Sequence, residues 1–165
     1  MAKADFTAFQ LREMFEYNPE EGVFSRKVST NGRYGRAGAV RKSFDKKGYV
    51  VVGINGCRYF AHRLAWLYMV GAWPEHMIDH INGVKSDNRF VNLRDVSGFI
   101  NQQNKHGATN SNALGILGVC RVKNRFHSAI WVEGKSKRLG SYKTVEEAQE
   151  AYLLAKRALH AGCVI

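Results

Sequence analysis

The chain has 165 residues, and its 25 Lys and Arg against 14 Asp and Glu give a formal net charge of +11. A hydrophobic fraction of 45% supplies enough apolar surface for one core and a small second module, which excludes a disordered basic tail. The longest apolar stretches are far shorter than the roughly 20 residues of a membrane span. The first residues, Met-Ala-Lys-Ala-Asp, lack the apolar region of a signal peptide, so we expect a globular protein in the cytoplasm.

The three cysteines, Cys57, Cys120 and Cys163, are far apart and form no C-x-x-C pair. This spacing favours buried reduced thiols over a disulfide framework or a structural zinc site. A pair of cysteines with an outside ligand stays open as an alternative.

The first third of the chain predicts a helix and a hairpin region. Thr7 and Gln10 form a capping-box pattern, and apolar residues then follow helical spacing to about Tyr17. Residues 23–26 and 48–54 have strand patterns. Asn55-Gly56 predicts a tight turn that joins the second strand to residues 58–60.

The middle third predicts a helix followed by a strand, a loop, a strand and a helix. Residues 61–70 form an apolar helical face that ends at Gly71. Residues 77–81 and 93–96 are predicted strands on either side of a polar loop, and Ser97 is the predicted N-cap of a helix to about residue 105.

The last third predicts a separate small domain. Residues 107–113 lack periodicity and form the best linker. Three short strands are predicted at 118–122, 126–132 and 136–139. A capping box at Thr144 begins a helix that ends at Gly162, and three strands with one helix can bury a small core.

Positive charge is concentrated in two stretches that flank a nearly neutral centre. Lys and Arg neutralise phosphates and aromatic rings stack on bases, so these stretches predict a nucleic-acid interface. A merely solvated basic surface is the alternative. The candidate DNA-binding residues are Arg33, Arg36, Arg41, Lys42, Arg121, Lys123, Arg125, Trp131, Lys137 and Arg138. We expect the basic side chains after residue 120 to share one face of the sheet, with Trp131 stacked beside them or buried under the helix.

The neutral centre contains Asp79-His80, then Asn92 and Asn101. Asp79 and the amide oxygen of Asn101 are hard ligands that suit Mg²⁺, and a neutral His80 is a candidate base for activating water. Asn92 would brace the loop. Strict strand alternation puts Asp79 and His80 on opposite faces, so a shared site requires a twist or bulge, and these residues are alternatively ordinary turn-rich polar residues.

The motifs 62–66, 78–83, 87–89 and 91–94 resemble the HNH homing endonucleases of phages and group I introns, which have a ββα-metal nuclease fold. The resemblance covers roughly residues 10–105. It implies that His80 is the general base, that Asp79 and Asn101 are metal ligands, and that Asn92 is the structural asparagine. For His62, at the start of the preceding helix, we favour a structural role over a phosphate contact.

Residues 114–162 resemble a second family, the plant ethylene-response DNA-binding domain of Apetala type, which also occurs appended to phage HNH endonucleases. In that family a three-stranded sheet lies in the major groove. Cys120 and Val122 stand where the plant pattern has arginines, so its base contacts cannot be transferred.

These observations predict an α+β protein with a ββα-metal (HNH) nuclease core and a small three-stranded sheet packed on one helix. The expected domains are an N-terminal helix and basic hairpin region (1–60), the nuclease core (61–106), the linker (107–113) and the DNA-binding module (114–165).

The expected function is Mg²⁺-dependent hydrolysis of double-stranded DNA, with Mn²⁺ as a possible replacement metal and no small-molecule cofactor. The enzyme would act as a monomer or homodimer in the bacterial host cell if it is phage-encoded. A non-catalytic sequence-specific DNA-binding regulator is the first alternative, and a basic RNA-binding structural protein is the second.

Overall fold

The structure, a computed structural model, describes residues 6–29, 36–39, 43–105, 107–108 and 112–164. It is a mixed α+β arrangement of several small sheets and four helices. The chain forms two compact units, Met1–Val96 and Ser97–Ile165, and each is described by itself below. Within the described ranges, no helix combines the length and apolar character that crossing a membrane requires.

The first unit contains two helices and three small antiparallel sheets. The helices are α1 (Ala8–Met14) and α2 (Ala61–Val70). The first two sheets have the strand orders β1-β2-β3 and β4-β5-β6, and the third is the hairpin β7-β8. The strands are β1 (Phe15–Asn18), β2 (Val23–Arg26), β3 (Gly38–Ala39), β4 (Ser43–Phe44), β5 (Val50–Ile54), β6 (Cys57–Phe60), β7 (Met77–His80) and β8 (Leu93–Val96).

Helix α1 begins as predicted but is shorter. The Thr7 side chain caps the backbone N–H of Gln10, and the reciprocal bond completes the capping box. The predicted end at Tyr17 is wrong, because the backbone turns extended at Phe15 and enters strand β1. In β1, Phe15 and Tyr17 are buried and their neighbours are exposed, so the apolar residues follow a period of two. The pairing of β1 with β2 selects the strand period of two over the helical period.

The core of the first unit joins α1, α2 and the two three-stranded sheets. Leu11 and Phe15 pack with Leu64 and Leu67 of α2, and all four are fully or almost fully buried. Helix α2 ends as predicted at Gly71, whose φ of 89° is a left-handed conformation that favours glycine. This core supports α2 and strand β7, which together hold the residues of the candidate site.

Strands β7 and β8 form the predicted hairpin around the polar loop 81–92. The strands pair antiparallel from Met77 opposite Val96 to His80 opposite Leu93, without a break in register. A 3-10 turn, Phe90–Asn92, leads the loop into β8. In chain order, a helix follows the hairpin.

The second unit contains that helix, α3 (Gly98–Gln103), and a three-stranded sheet with α4 (Val145–Leu159) packed on it. Strand β10 (Arg125–Val132) lies between β9 (Val119–Val122) and β11 (Lys135–Tyr142). The register between β10 and β11 shifts at a bulge between Ser128 and Ala129. Both helices begin at predicted caps, Ser97 and the Thr144 capping box. The centre of the core contains Val119, Ile130, Ala148 and Tyr152.

The boundary of the compact units falls between Val96 and Ser97, so α3 groups with the C-terminal sheet. The expected linker, 107–113, lies within the second unit, and its residues 109–111 fall outside the described ranges. The functional limits of the domains therefore stay a prediction.

Candidate active site

Asp79 and His80 lie at the end of β7, where both are buried with 7% and 5% exposure. The continuous register directs their side chains to opposite faces of the hairpin, since no bulge intervenes. Burial lowers the pKa of His80, and the charge of the Asp79 carboxylate is one of the smaller effects that oppose this shift.

His80 is held by a buried asparagine of the loop. Its Nε2 lies 3.3 Å from Oδ1 of Asn88, whose exposure is only 2%. The Asn88 Nδ2 donates to the backbone oxygen of Ser86 at 3.3 Å, and this bond identifies which end of the amide faces the imidazole. Burial, the largest effect, lowers the pKa of His80 below its ordinary value, and the Asn88 hydrogen bond partly opposes this shift.

Two rings pack against His80. The ring of His62 meets it edge-on at 5.0 Å between centroids, and Tyr49 lies at 5.9 Å. His62 is itself buried and stacks on Phe60 at an interplanar angle of 12°. Desolvation lowers the pKa of His62 to about 3, so the ring is neutral. This placement agrees with the structural role expected for His62.

Asn92, at the end of the loop, braces its start and its middle. Its Oδ1 accepts the backbone N–H of Asn82 at 2.9 Å, and its Nδ2 donates to the backbone oxygen of Asp87 at 2.8 Å. Its own backbone oxygen also accepts the N–H of Ile81 at 2.9 Å. Three bonds from one buried residue therefore tie the loop to the end of β7, which is the bracing that the sequence predicts.

The Asp79 carboxylate forms an ion pair with Arg94, its partner across the hairpin. Arg94 donates to Oδ2 through Nε at 2.9 Å and lies 2.8 Å from it through its terminal nitrogen. Both side chains are largely buried, so water screens the attraction only weakly. The pair fixes the orientation of the carboxylate.

The donor set for a metal is small. Within the described part of the chain, no group of three or more His, Cys, Asp or Glu side chains is placed to hold a metal ion. Asp79 supplies one hard oxygen donor, which fits Mg²⁺, because this ion takes only one or two protein oxygens and keeps water or phosphate in its other positions. The predicted second ligand, Asn101, is half-buried on α3 in the second unit, and its role stays a prediction.

The basic candidates of the second unit are all exposed, but they do not share one face. Arg125 and Trp131 point away from α4, as does Arg138, which pairs with Ala129. Arg121 lies opposite Phe126 and Lys137 opposite Ile130, so both are on the side of α4. The expected single basic face is therefore wrong for Arg121 and Lys137, because the shared face depends on register and not on spacing within one strand.

The remaining candidates occupy turns or fall outside the described residues. Lys123 is in the β9–β10 turn with a φ of 54°, so it belongs to neither face. Trp131 is 64% exposed, which answers the open question of whether it is buried under the helix. Arg36 is exposed before β3, while Arg33, Arg41 and Lys42 lie outside the described residues.

Three residues of the site were not predicted from the sequence: Tyr49, Asn88 and Arg94. Asn88 and Arg94 lie in the motif segments 87–89 and 91–94, but their contacts depend on how the loop closes and which strand residues pair. Cross-strand spacing in a 77–80 and 93–96 hairpin could have identified Arg94 as the partner of Asp79. We find no comparable signal for Tyr49.

Residues 59–103 match the model of a family described as HNH endonuclease. The match contains α2, the β7–β8 hairpin, the loop and α3, which are the elements that carry Asp79, His80, Asn92 and Asn101. It supports an HNH nuclease, a hydrolase that cleaves DNA, and a ββα-metal core fits the order of the elements. Neither the search of curated proteins nor that of solved structures found a match.

Proposed function

We propose that this chain is a divalent-metal-dependent endonuclease that hydrolyses phosphodiester bonds in double-stranded DNA and serves as a phage homing enzyme in the bacterial cytoplasm. The observation that carries the proposal is the environment of His80. A buried imidazole is oriented by Asn88, follows Asp79 directly in strand β7, and lies inside the segment that matches the HNH endonuclease family.

His80 acts as the general base. The lowered pKa keeps its imidazole neutral at pH 7. Because Asn88 presents its Oδ1, Nε2 carries the proton and donates to it, and Nδ1 keeps the lone pair. Nδ1 therefore accepts the proton of a water that attacks the scissile phosphate. Hydrogen bonding to the opposite nitrogen keeps the imidazole in the tautomer that this step needs.

Asp79 and Asn101 would hold the metal, with Mg²⁺ as the expected ion and Mn²⁺ as a replacement. When bound, the metal supplies positive charge to the phosphate and to the leaving oxygen. Arg94 orients the carboxylate of Asp79 for this role. The same guanidinium adds fixed positive charge beside the substrate.

The second unit would grip the DNA. On the sheet face that points away from α4, Arg125 and Arg138 supply charge and Trp131 supplies an exposed ring. We call these three residues the open-face set. Phosphate contacts by this face would fix position on the duplex, as expected from its resemblance to an Apetala-type domain. The enzyme would act as a monomer or as a homodimer.

Cleavage of a supercoiled plasmid tests the proposal. The purified chain is expected to convert the plasmid to nicked or linear DNA with Mg²⁺ and to leave it intact with EDTA. His80→Ala provides the control for a contaminating nuclease, and it is expected to leave the plasmid supercoiled under both conditions. Equal cleavage by the His80→Ala protein would refute the assignment, and binding without any cleavage would favour the DNA-binding regulator.

A further inference from the structure

We propose that the N-terminal hairpin β1–β2 is a positioning element for His80 and acts through Asn88. The hairpin lies outside the matched segment 59–103. The inference rests on the proposed function in one respect, namely that His80 is the general base. It assigns a role in the reaction to residues that neither touch the substrate nor belong to the motifs of the site.

Two hydrogen bonds join the hairpin to the loop at and beside Asn88. The Tyr17 hydroxyl donates to the Asn88 backbone oxygen at 2.5 Å, in a buried setting. Burial, and secondarily the charge of Asp87, raises the pKa of Tyr17, so its hydroxyl stays a donor throughout the working pH range. On the other side of Asn88, the Phe90 backbone N–H donates to the Pro19 oxygen at 3.0 Å.

Gly22 in the β1–β2 turn allows the hairpin to come this close. Its φ of 68° lies in the left-handed region, and a Cβ built there would be only 2.4 Å from the Asn88 carbonyl carbon and the Arg89 nitrogen. Both atoms belong to the backbone, so a side chain at this position would have to displace the loop. The turn therefore contacts the backbone of the residue that orients His80.

The contact between Asn88 and His80 is sensitive to such a displacement. At 3.3 Å it is already at the long end of hydrogen-bond distances, so a shift of a few tenths of an ångström would break it. Asn92 fixes the backbone at Asn82 and at Asp87, the residue before Asn88, but none of its bonds reaches the side chain of Asn88. The hairpin adds the contacts on the other side, at the Asn88 oxygen and at Phe90, and so completes the support of the loop segment that faces the imidazole.

Matched glycine variants separate positioning from stability. Gly22→Ala forces the loop to move, whereas Gly56→Ala has a similar φ of 78° but open space around its Cβ. Both variants carry the strain of a left-handed alanine, and Gly22→Ala should lose further free energy of unfolding because its Cβ overlaps the loop backbone. We expect Gly22→Ala to lower kcat at saturating DNA by roughly 10²-fold, with KM within about threefold, and Gly56→Ala to keep the wild-type kcat.

Two further variants keep the test informative if Gly22→Ala fails to fold. Asn88→Leu removes the acceptor at nearly constant volume and should lower kcat about as much as Gly22→Ala. Tyr17→Phe removes one bond of the hairpin and should lower kcat by about tenfold. A merely structural hairpin would instead lower the unfolding midpoint in Gly22→Ala and Tyr17→Phe and leave their kcat unchanged.

The tautomer of His80 provides a readout that needs no activity. Two-bond ¹H–¹⁵N correlation spectra at pH 8 should show the proton on Nε2 in the wild-type protein. A larger share of the proton should be on Nδ1 in Gly22→Ala and Asn88→Leu, while Gly56→Ala should resemble the wild type. Wild-type kcat and an unchanged Nε2–H tautomer in Gly22→Ala would overturn the inference, whether or not Asn88→Leu is impaired; if Gly22→Ala does not fold, the same result in Tyr17→Phe overturns it.

The two proposals fail in different ways. If His80→Ala cleaves DNA like the wild type, His80 is not the base and the proposed function fails, whatever the tautomer spectra show. If His80→Ala is inactive but Gly22→Ala and Asn88→Leu cleave at the wild-type rate, the base is correctly assigned and the positioning role of the hairpin is refuted.

Discussion

The polar residues of the two units are organised in opposite ways. In the first unit, Asp79, His80, Asn88 and Asn92 are buried, and each has defined hydrogen-bond or ion-pair partners. In the second unit, the candidate DNA-binding side chains are exposed on a sheet. Proton transfer requires one fixed geometry, while binding to a phosphate backbone requires mainly charge in about the right place. A substitution at the buried residues around His80 should therefore change rate, and one at the exposed sheet residues should change affinity.

The largest expected effect is that of His80→Ala. Loss of a general base typically costs 10²–10⁴-fold in rate, and the side chain is too buried to contribute much to DNA affinity. We expect kcat to fall by about that factor, with Kd for duplex DNA in EDTA within about threefold of wild type. A gel-shift titration beside the cleavage assay checks both values. A loss of DNA affinity as large as the loss of rate would contradict the assignment of His80 to the chemical step alone.

Asp79→Ala and Asn101→Ala are expected to change the metal dependence. Each removes one oxygen ligand, so the Mg²⁺ concentration for half-maximal rate should rise by about tenfold or more, and Mn²⁺ should restore part of the rate. Asp95→Ala is the control for Asp79, because it removes a carboxylate of the same hairpin that accepts the backbone N–H groups of Glu75 and His76. An unchanged Mg²⁺ titration in both ligand variants would exclude this donor set.

Substitutions on the sheet are expected to have smaller effects, and only on affinity. Replacing Arg125 and Arg138 by Ala removes two cations from the open face, and the slope of log K against log salt should decrease by about 0.9 for each phosphate that is no longer neutralised. Arg121→Ala with Lys137→Ala removes the same charge from the side of α4 and is the matched control. Equal salt slopes for the two double variants would show that the open face contributes no more phosphate contacts than the face on the side of α4.

The smallest expected effect concerns the pH dependence of stability near His62. The unfolded residue binds a proton near pH 6.5, whereas burial holds the folded pKa at about 3. The unfolded state therefore binds more protons between these values, and His62 makes the protein less stable as pH falls below 6.5. His62→Phe should remove up to about 1.4 kcal/mol per pH unit from that slope in urea unfolding between pH 6 and 4. An unchanged slope would mean that His62 is protonated in the folded protein.

Local signals in the sequence predicted much of the fold. The capping boxes at Thr7 and Thr144, the Asn55-Gly56 turn and the left-handed Gly71 each depend on neighbouring residues only, and the structure confirms all of them. Strand β1 was missed because Phe15, Tyr17 and the residues before them fit two periodicities. Only pairing with β2, which follows later in the chain, selects the extended form.

The candidate site divides in the same way. Asp79, His80 and Asn92 stand out by residue type and spacing, and the structure buries all three and shows Asn92 bracing the loop. The twist or bulge that a shared site for Asp79 and His80 would require is not seen, because the register of β7 with β8 is continuous. The role of Asn88 could not be predicted from the sequence, because its contact with His80 depends on the path of the whole loop. The faces of Arg121 and Lys137 likewise depend on the register between strands.

Single-turnover cleavage of one duplex substrate, measured at saturating enzyme with Mg²⁺, separates the buried base from the exposed sheet in one experiment. We expect His80→Ala to lower the saturated rate by at least about 10²-fold. The Arg125→Ala, Arg138→Ala double variant should keep the saturated rate and need more enzyme to reach it. A saturated rate that falls in the double variant and not in His80→Ala would contradict the assignment of the chemistry to His80 and of DNA binding to the open-face set.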